Sequence, residues 1–305
     1  MSGNAIEVGG LTMSYGDRPV LRGVDFDVRS GEVFCLLGPN GAGKTTTIEI
    51  LEGFRQPTGG TVRVLGMDPA SQPTRLRERI GIVLQECGFP RQARVAELID
   101  TWRAYYTRPR PLEELLAVVE LTADRNAQVR RLSGGQRRRL DLALALAGDP
   151  DLIFLDEPTT GFDPESRRRC WAAIENLRAL GKTILLTTHY LDEAQRLADR
   201  VAILQDGSIQ VAGPVREVAR QAGVPTRISF TAPERLRTGA LPAPLSLNVV
   251  VNEDTAACLT ETASSAIREL LAWAAANDLG DLDDLSIAIP TLEDAYLRLV
   301  SGGVQ

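Results

Sequence analysis

The sequence predicts an α/β protein with a largely parallel sheet. Several short apolar runs are spread along the first part of the 305 residues, and each resembles a strand that is buried on both faces. Helical segments separate the runs, and this alternation places parallel strands side by side through helical crossovers. The runs are Glu32–Leu37, Ile80–Leu84, Leu152–Leu155 and Ile184–Thr188.

Other kinds of element accompany these runs. In the N-terminal segment, Val24, Phe26 and Val28 alternate with aspartates, which is the period-two pattern of a half-buried strand. A helical stretch, broken by prolines, predicts an inserted helical subdomain at about 90–147. Farther along, Asp206-Gly207 between two apolar runs predicts a β-hairpin.

The composition changes after about Gln221, where prolines become frequent. We therefore expect two domains, a larger one over 1–221 and a small α+β domain over 222–305. The elements expected in the second domain are a strand over Leu245–Val251, a helix over Ala256–Ala276, a strand over Leu285–Ile289 and a helix from Leu292.

The bulk composition excludes several classes of function. A formal net charge of -6 argues against a nucleic-acid partner, because such proteins usually carry a basic domain or stripe. The one short basic run, Arg137-Arg138-Arg139, is expected to be the solvated face of a helix start. No apolar stretch approaches the roughly 20 residues needed to cross a bilayer, so a membrane role would require a partner. A single histidine and four scattered cysteines argue against a zinc site.

A glycine-rich loop follows the first buried run and matches the pattern G-x-x-x-x-G-K-[ST]. Its glycines allow backbone N–H groups to surround phosphates, and the helix that follows directs its dipole at them. Lys44 is expected to reach the β- and γ-phosphates, and the Thr45 hydroxyl to bind Mg²⁺. The residues expected to hold ATP here are Gly38, Pro39, Asn40, Gly41, Ala42, Gly43, Lys44, Thr45 and Thr46.

Two acidic residues end the third apolar run. An acid at the end of a buried strand beside a phosphate loop can hold Mg²⁺, which we expect of Asp156. The adjacent Glu157 is placed to polarise the attacking water as a general base. Without the phosphate loop, the same Asp-Glu-Pro would equally suit a simple exit from a strand.

The pentapeptide Leu132-Ser133-Gly134-Gly135-Gln136 resembles the signature motif of ABC (ATP-binding cassette) proteins. It stands before the acidic strand and at a helix start, where a hydroxyl and bare N–H groups can bind an anion. The resemblance covers roughly residues 5–220. It implies a P-loop NTPase cassette with a mixed sheet, an antiparallel β-subdomain and a helical subdomain, and it implies ATP binding by Ser133, Gly134, Gly135 and Gln136.

Further family motifs follow in the family's order. Tyr15 matches the aromatic residue that stacks on adenine, with strand packing as the alternative role. Gln85 matches the glutamine that senses Mg²⁺ and the attacking water, with an exposed loop residue as the alternative. Gly161-Phe162-Asp163-Pro164 resembles the D-loop, which crosses to the partner subunit and implies a nucleotide-binding role for Asp163, although leucine is usual at the second position. His189, the only histidine, matches the switch residue that contacts the γ-phosphate.

The resemblance also implies partners. Phosphate loop and signature act across a head-to-tail pair in this family, so a homodimer is expected. The ending Thr291-Leu292-Glu293-Asp294-Ala295-Tyr296 resembles ABC-2 type drug and antibiotic exporter ATPases of the daunorubicin-resistance kind, as does the segment Ser133–Leu140. We therefore expect a Mg²⁺-dependent ATPase on the cytoplasmic face of the membrane, powering export through a separate permease. The alternatives are an importer ATPase and a soluble ABC ATPase acting on ribosomes or DNA.

Overall fold

A computed structural model describes residues 3–83, 88, 90–244 and 247–300 of the chain. The chain divides into two compact units, Met1–Val215 and Arg216–Gln305. The division lies slightly before the boundary that the change in composition predicts. No helix in the described ranges is both long enough and apolar enough to span a membrane.

The first unit contains the buried runs and the helices between them. Its strands are β1 (Asn4–Tyr15), β2 (Arg18–Arg29), β3 (Val33–Leu37), β4 (Gly59–Val64), β5 (Ile80–Val83), β6 (Leu152–Asp156), β7 (Thr183–Thr188), β8 (Arg200–Gln205) and β9 (Ser208–Pro214). Its helices are α1 (Lys44–Leu51), α2 (Pro73–Arg77), α3 (Val95–Arg103), α4 (Leu112–Val118), α5 (Gly134–Ala145), α6 (Pro164–Ala179) and α7 (Leu191–Leu197).

The central sheet of this unit has the order β5-β6-β7-β3-β8-β9. All neighbours pair in parallel except β8 and β9, which form the expected antiparallel hairpin. Strands β3, β6 and β7 are buried along their whole length, as expected of strands that are covered on both faces. The carboxyl ends of β3, β6 and β7 therefore meet at one edge, each followed by a predicted functional motif.

A second, antiparallel sheet has the order β2-β1-β4. Its apolar side chains share one core with the central sheet, and Phe26 of β2 stacks on Phe34 of β3 at 5.4 Å between ring centroids. Helices α3, α4 and α5 fall in the segment expected to be helical. The fold class predicted from the sequence, a mixed-sheet cassette with an antiparallel sheet and helical parts, is confirmed.

The second unit packs helices against a four-stranded antiparallel sheet of order β11-β12-β10-β13. Its elements are α8 (Val215–Gln221), β10 (Thr226–Thr231), α9 (Glu234–Arg237), β11 (Val250–Asn252), β12 (Thr255–Thr260), α10 (Ala263–Ala276), β13 (Ser286–Ala288) and α11 (Leu292–Val300).

The helix expected over Ala256–Ala276 is wrong in its first part. Thr255–Thr260 is a strand that pairs along its length with β10, and the helix begins only at Ala263. Alanine favours helix locally, but Ala256 and Cys258 alternate with more exposed neighbours and are buried in the core beneath the sheet. Strand β10 was not anticipated, and part of the expected strand Leu245–Val251 lies outside the described residues.

Candidate functional site

The glycine-rich loop joins β3 to α1 and has little room for side chains. A Cβ added to Gly38 would lie 2.3 Å from the carbonyl oxygen of Leu204. Gly43 has φ +109°, and a Cβ there would meet Leu21 at 2.6 Å. Close packing therefore requires glycine at both ends of the loop, and the backbone conformation also requires it at Gly43.

The side chain of Lys44 is buried at the start of α1, and its ammonium group is held on the loop. Nζ donates to the carbonyl oxygens of Gly38 at 2.8 Å and Pro39 at 3.1 Å. It also lies 3.2 Å from Oε1 of Glu157. The cation is thus placed between the phosphate loop and the acidic end of β6, where a bound anion could replace the carboxylate.

Asp156 ends β6 opposite the phosphate loop. Its Oδ2 accepts a hydrogen bond of 3.2 Å from the hydroxyl of Thr45, and its Oδ1 accepts one from the hydroxyl of Thr187. Hydroxyl and carboxylate oxygens side by side are ligands that suit Mg²⁺, which retains waters and phosphate oxygens for its other positions. Thr45 and Asp156 fit the predicted metal site.

Glu157 is directed toward two other predicted functional residues. Its carboxylate lies against Lys44, and Oε2 lies 3.3 Å from Nδ1 of His189. Burial alone would raise the pKa of Glu157, but Lys44, the hydroxyl of Thr160 and His189 together lower it. The carboxylate is therefore ionised at neutral pH, and it can orient a water by accepting a hydrogen bond from the water's O–H group.

One open cavity of about 700 Å³ is lined by Lys44, Thr45, Glu157 and His189, among others. The cavity is large enough for a nucleotide, and Tyr15 at its rim is 42% exposed, with the guanidinium of Arg55 4.9 Å from the ring centroid. The lining residues are Tyr15, Arg18, Val20, Asn40, Gly41, Gly43, Lys44, Thr45, Thr46, Glu157, Thr160 and His189. Sequence reasoning missed Arg18, Val20 and Thr160. For Arg18 and Val20 the sequence offered only the turn after Tyr15 as a signal, because their position at the cavity depends on how β2 packs beside the phosphate loop.

Ser133, Gly135 and Gln136 of the signature line a different cleft, of about 300 Å³, which shares no lining residue with the first. Ser133 is the N-cap of α5: its hydroxyl accepts a hydrogen bond of 3.2 Å from the backbone N–H of Gln136, whose side chain accepts one of 2.8 Å from the N–H of Ser133. Gly135 packs so closely on Ser166 of α6 that an added Cβ would lie 2.9 Å from its hydroxyl.

Asp163 belongs to the same cleft as the signature. It is the N-cap of α6, and its Oδ1 accepts hydrogen bonds of 3.0 Å from the backbone N–H groups of Glu165 and Ser166. Hydrogen bonds from Ser166 lower the pKa of Asp163. Within one chain the predicted ATP-binding residues therefore form two groups, one at the phosphate loop and one at the signature. Gln85 lies outside the described residues.

Comparison with known proteins bears on both groups. The family model "ABC transporter" matches residues 21–160, which span the phosphate loop and the acidic strand. A relative from Rhizobium meliloti, "Nod factor export ATP-binding protein I", is 38% identical over 97% of this chain and 88% of its own length. The chain belongs to the ATP-binding subunits of ABC transporters.

Other ABC transporter subunits agree with this assignment. The protein of the same name from Ralstonia nicotianae is 35% identical over 96% of this chain and 93% of its own length. The model "ABC transporter domain-containing protein-like, C-terminal domain" matches residues 226–291. The predicted ATPase coupled to transport is confirmed, and the exporter prediction agrees with relatives that are named export proteins.

Solved ABC cassettes have the same fold as the first unit. A structure described as the ATP-binding subunit of an ABC transporter covers 72% of this chain and 93% of its own, with a TM-score of 0.64 and 28% identity. A dimeric cassette in a post-hydrolysis state with ADP and Pi covers 68% of this chain and 98% of its own, with a TM-score of 0.61 and 25% identity. Nucleotide binding and dimer formation thus occur among solved cassettes of this fold.

Proposed function

We propose that two copies of the chain close head to tail on two ATP molecules and drive export through a separate membrane permease. The observation that carries the proposal is the separation of the two clefts within one chain. The phosphate cleft holds Lys44, Glu157 and His189, whereas Ser133, Gly135 and Asp163 line the other. Because both sets are intact, two identical chains give two complete sites.

In the proposed reaction, a water attacks the γ-phosphate in line, and Glu157 orients that water and accepts its proton. Lys44 exchanges the carboxylate of Glu157 and the loop carbonyls for phosphate oxygens when ATP enters. His189 donates a hydrogen bond to the γ-phosphate, so that charge on the transferring group is stabilised. Thr45 and Asp156 would hold Mg²⁺, which would supply positive charge beside the phosphates when bound.

The proposed head-to-tail arrangement completes the site from the partner chain. The N-terminus of α5, with Ser133 as its cap, presents backbone N–H groups to an anion. We place it over the γ-phosphate bound to the partner's loop. ATP then binds the closed dimer more tightly than the open one, and hydrolysis releases it, which is a ligand-driven shift of population.

The variant Glu157→Gln tests this proposal. It should bind ATP, lose hydrolysis by at least about 100-fold and accumulate as a dimer, because the step that releases the dimer is blocked. Size-exclusion chromatography with ATP and with ADP measures this, and Glu175→Gln, a surface residue of α6 paired with Arg196, is the matched control. A monomeric, fully active Glu157→Gln would refute both the base and the dimer.

We further propose that the dimer binds peripherally to the cytoplasmic face of the membrane through its permease. Relatives named export proteins support this placement, since export requires a path through the membrane. Co-expression with a permease and fractionation of membranes tests it. A chain that ends at Gln221 tests whether 222–305 contributes to assembly with the permease: retained assembly and transport would exclude that role.

A further inference from the structure

The arginine run of α5 is not a solvated helix face, as its charge alone suggests. Arg138 and Arg139 are 6% and 4% exposed, and only Arg137 is exposed. A buried guanidinium requires several acceptors to compensate for its loss of water. Two hydrogen-bond acceptors of Arg138 lie at the carboxyl end of strand β6 and just beyond it.

Among its contacts within the described residues, the guanidinium of Arg138 donates hydrogen bonds to two backbone carbonyls, and its Nη1 lies 3.8 Å from Oδ2 of Asp141 on the same helix. Nη2 donates to the oxygen of Asp156 at 3.0 Å, and Nε donates to the oxygen of Pro158 at 3.1 Å. These two residues immediately precede and follow Glu157. The planar fork of one side chain therefore holds the backbone on both sides of the proposed base.

The backbone of Glu157 needs such support. Its φ is +44°, in the left-handed region that residues other than glycine rarely adopt. From the other side, its N–H is 3.1 Å from both the carbonyl and the hydroxyl oxygen of Thr187. A strained conformation of this kind persists only where the surroundings fix it, and Thr187 and Arg138 supply contacts from β7 and α5.

We propose that Arg138 is a positioning residue, which fixes the backbone around Glu157 and so sets where its carboxylate lies. The inference rests on the proposed role of Glu157 as the base. Arg138 is part of the helix that begins at the signature residues Ser133 and Gly134. One helix thus presents its N-terminus to the partner's nucleotide and supports the base of its own chain.

Arg200 of β8 offers a matched control. Its side chain is 14% exposed, and its guanidinium donates hydrogen bonds to the carboxylates of Asp27 and Glu32 rather than to the backbone around Glu157. Lysine at either position keeps a positive charge, but a single ammonium group cannot reproduce the planar fork. Arg138→Lys and Arg200→Lys therefore make the same chemical change, beside the proposed base in one case and away from it in the other.

The test measures kcat, the ATP dissociation constant and the imidazole NMR signal of His189. Arg138→Lys should lower kcat at least ten-fold, leave the dissociation constant within two-fold, and shift the His189 signal, because its neighbour Glu157 moves. Arg200→Lys should leave kcat and the signal near those of the wild type. Since His189 is the only histidine, the assignment is unambiguous.

Two results would overturn the proposal: wild-type kcat in Arg138→Lys, or equal losses of kcat in both variants. If Arg138→Lys does not fold, Arg138→Gln provides the same comparison, with one planar donor group in place of the fork. The role of the base is judged separately by Glu157→Gln. An active Glu157→Gln rejects the base itself, whereas an inactive one beside a fully active Arg138→Lys rejects only the positioning role.

Discussion

The two units of the chain bury different kinds of side chain. In the first unit, charged and polar groups such as Lys44, Asp156 and Glu193 are buried near the carboxyl ends of the strands. Among the described residues, every buried polar or charged side chain belongs to this unit, and the core of the second is apolar. Substitutions in the first unit are therefore expected to act mainly through charge and hydrogen bonding, and those in the second unit mainly through the packing of its core.

Glu193 shows how far such burial extends in the first unit. Its Oε1 accepts hydrogen bonds of 2.9 Å from the hydroxyl of Thr159 and 3.0 Å from Nε1 of Trp171. Burial raises the pKa of Glu193, and hydrogen bonds from its neighbours only partly oppose this. A carboxyl four residues after His189 thus connects α7 to α6 and to the turn after Glu157.

The largest effect on stability is expected in the second unit from Phe230→Ala. Phe230 is 1% exposed on β10, and its removal should destabilise that unit by about 3–5 kcal/mol, since truncated core aromatics leave a cavity. Hydrogen exchange measured by mass spectrometry on peptides from 216–300 should show the loss of protection. The ATPase rate should stay within two-fold.

Leu259→Ala is the control for this comparison. Leu259 lies on the adjacent strand β12 but is 61% exposed, so its truncation should change stability by less than about 0.5 kcal/mol. If Phe230→Ala instead removed ATPase activity without loss of protection in 216–300, the contrast between the units would fail.

The next largest effect is expected in the first unit from His189→Ala. Loss of the proposed γ-phosphate contact should lower kcat by about 100-fold, which is about 2.7 kcal/mol in transition-state free energy. Affinity for ATP should change little, because Lys44 and the loop carry most of the phosphate binding. Single-turnover hydrolysis and equilibrium binding separate the two effects, and a variant with normal turnover would show that His189 is only structural.

The same contrast explains what the sequence predicted and what it did not. Phosphate chemistry restricts residue types and spacing, so Lys44, Asp156, Glu157 and His189 could be placed at strand ends, and the structure brings them together. A segment such as Thr255–Thr260 is under no such restriction. Its local preference for helix is outweighed by pairing with β10, so it forms a strand. Packing in three dimensions decides such segments.

Long-range contacts were also beyond the sequence pattern. Arg138 looks like any other cation of the basic run, and only the packing of α5 beside β6 shows that its guanidinium reaches the backbone around Glu157. Arg18 lines the nucleotide cavity for a similar reason, because β2 passes beside the loop. No spacing rule in the chain links either residue to the phosphate site.

The smallest effect is expected from a buried carboxyl group of the first unit, and it appears as a dependence of the free energy of unfolding on pH. Glu52 follows α1 and is 1% exposed, and burial, aided by Asp156 and Glu49, raises its pKa from 4.5 to about 8. The unfolded chain releases this proton near pH 4.5, whereas the folded chain keeps it until about pH 8. The contribution of this group to stability is therefore full below pH 4.5 and falls as the pH rises to about 8.

Glu52→Gln removes that pH dependence, because glutamine does not ionise. The variant should gain stability over the wild type as the pH rises from 5 to 8, by about 2 kcal/mol in total, below the limit of about 1.4 kcal/mol per pH unit for one proton. Urea unfolding without nucleotide or Mg²⁺ measures this, since a cation at Asp156 would itself lower the pKa of Glu52. The control Glu175→Gln removes an exposed carboxylate and should change stability by less than about 0.5 kcal/mol at every pH. Parallel pH profiles for Glu52→Gln and the wild type would mean that Glu52 is ionised in the folded chain, so that burial of a protonated carboxyl at this position would no longer distinguish the first unit from the second.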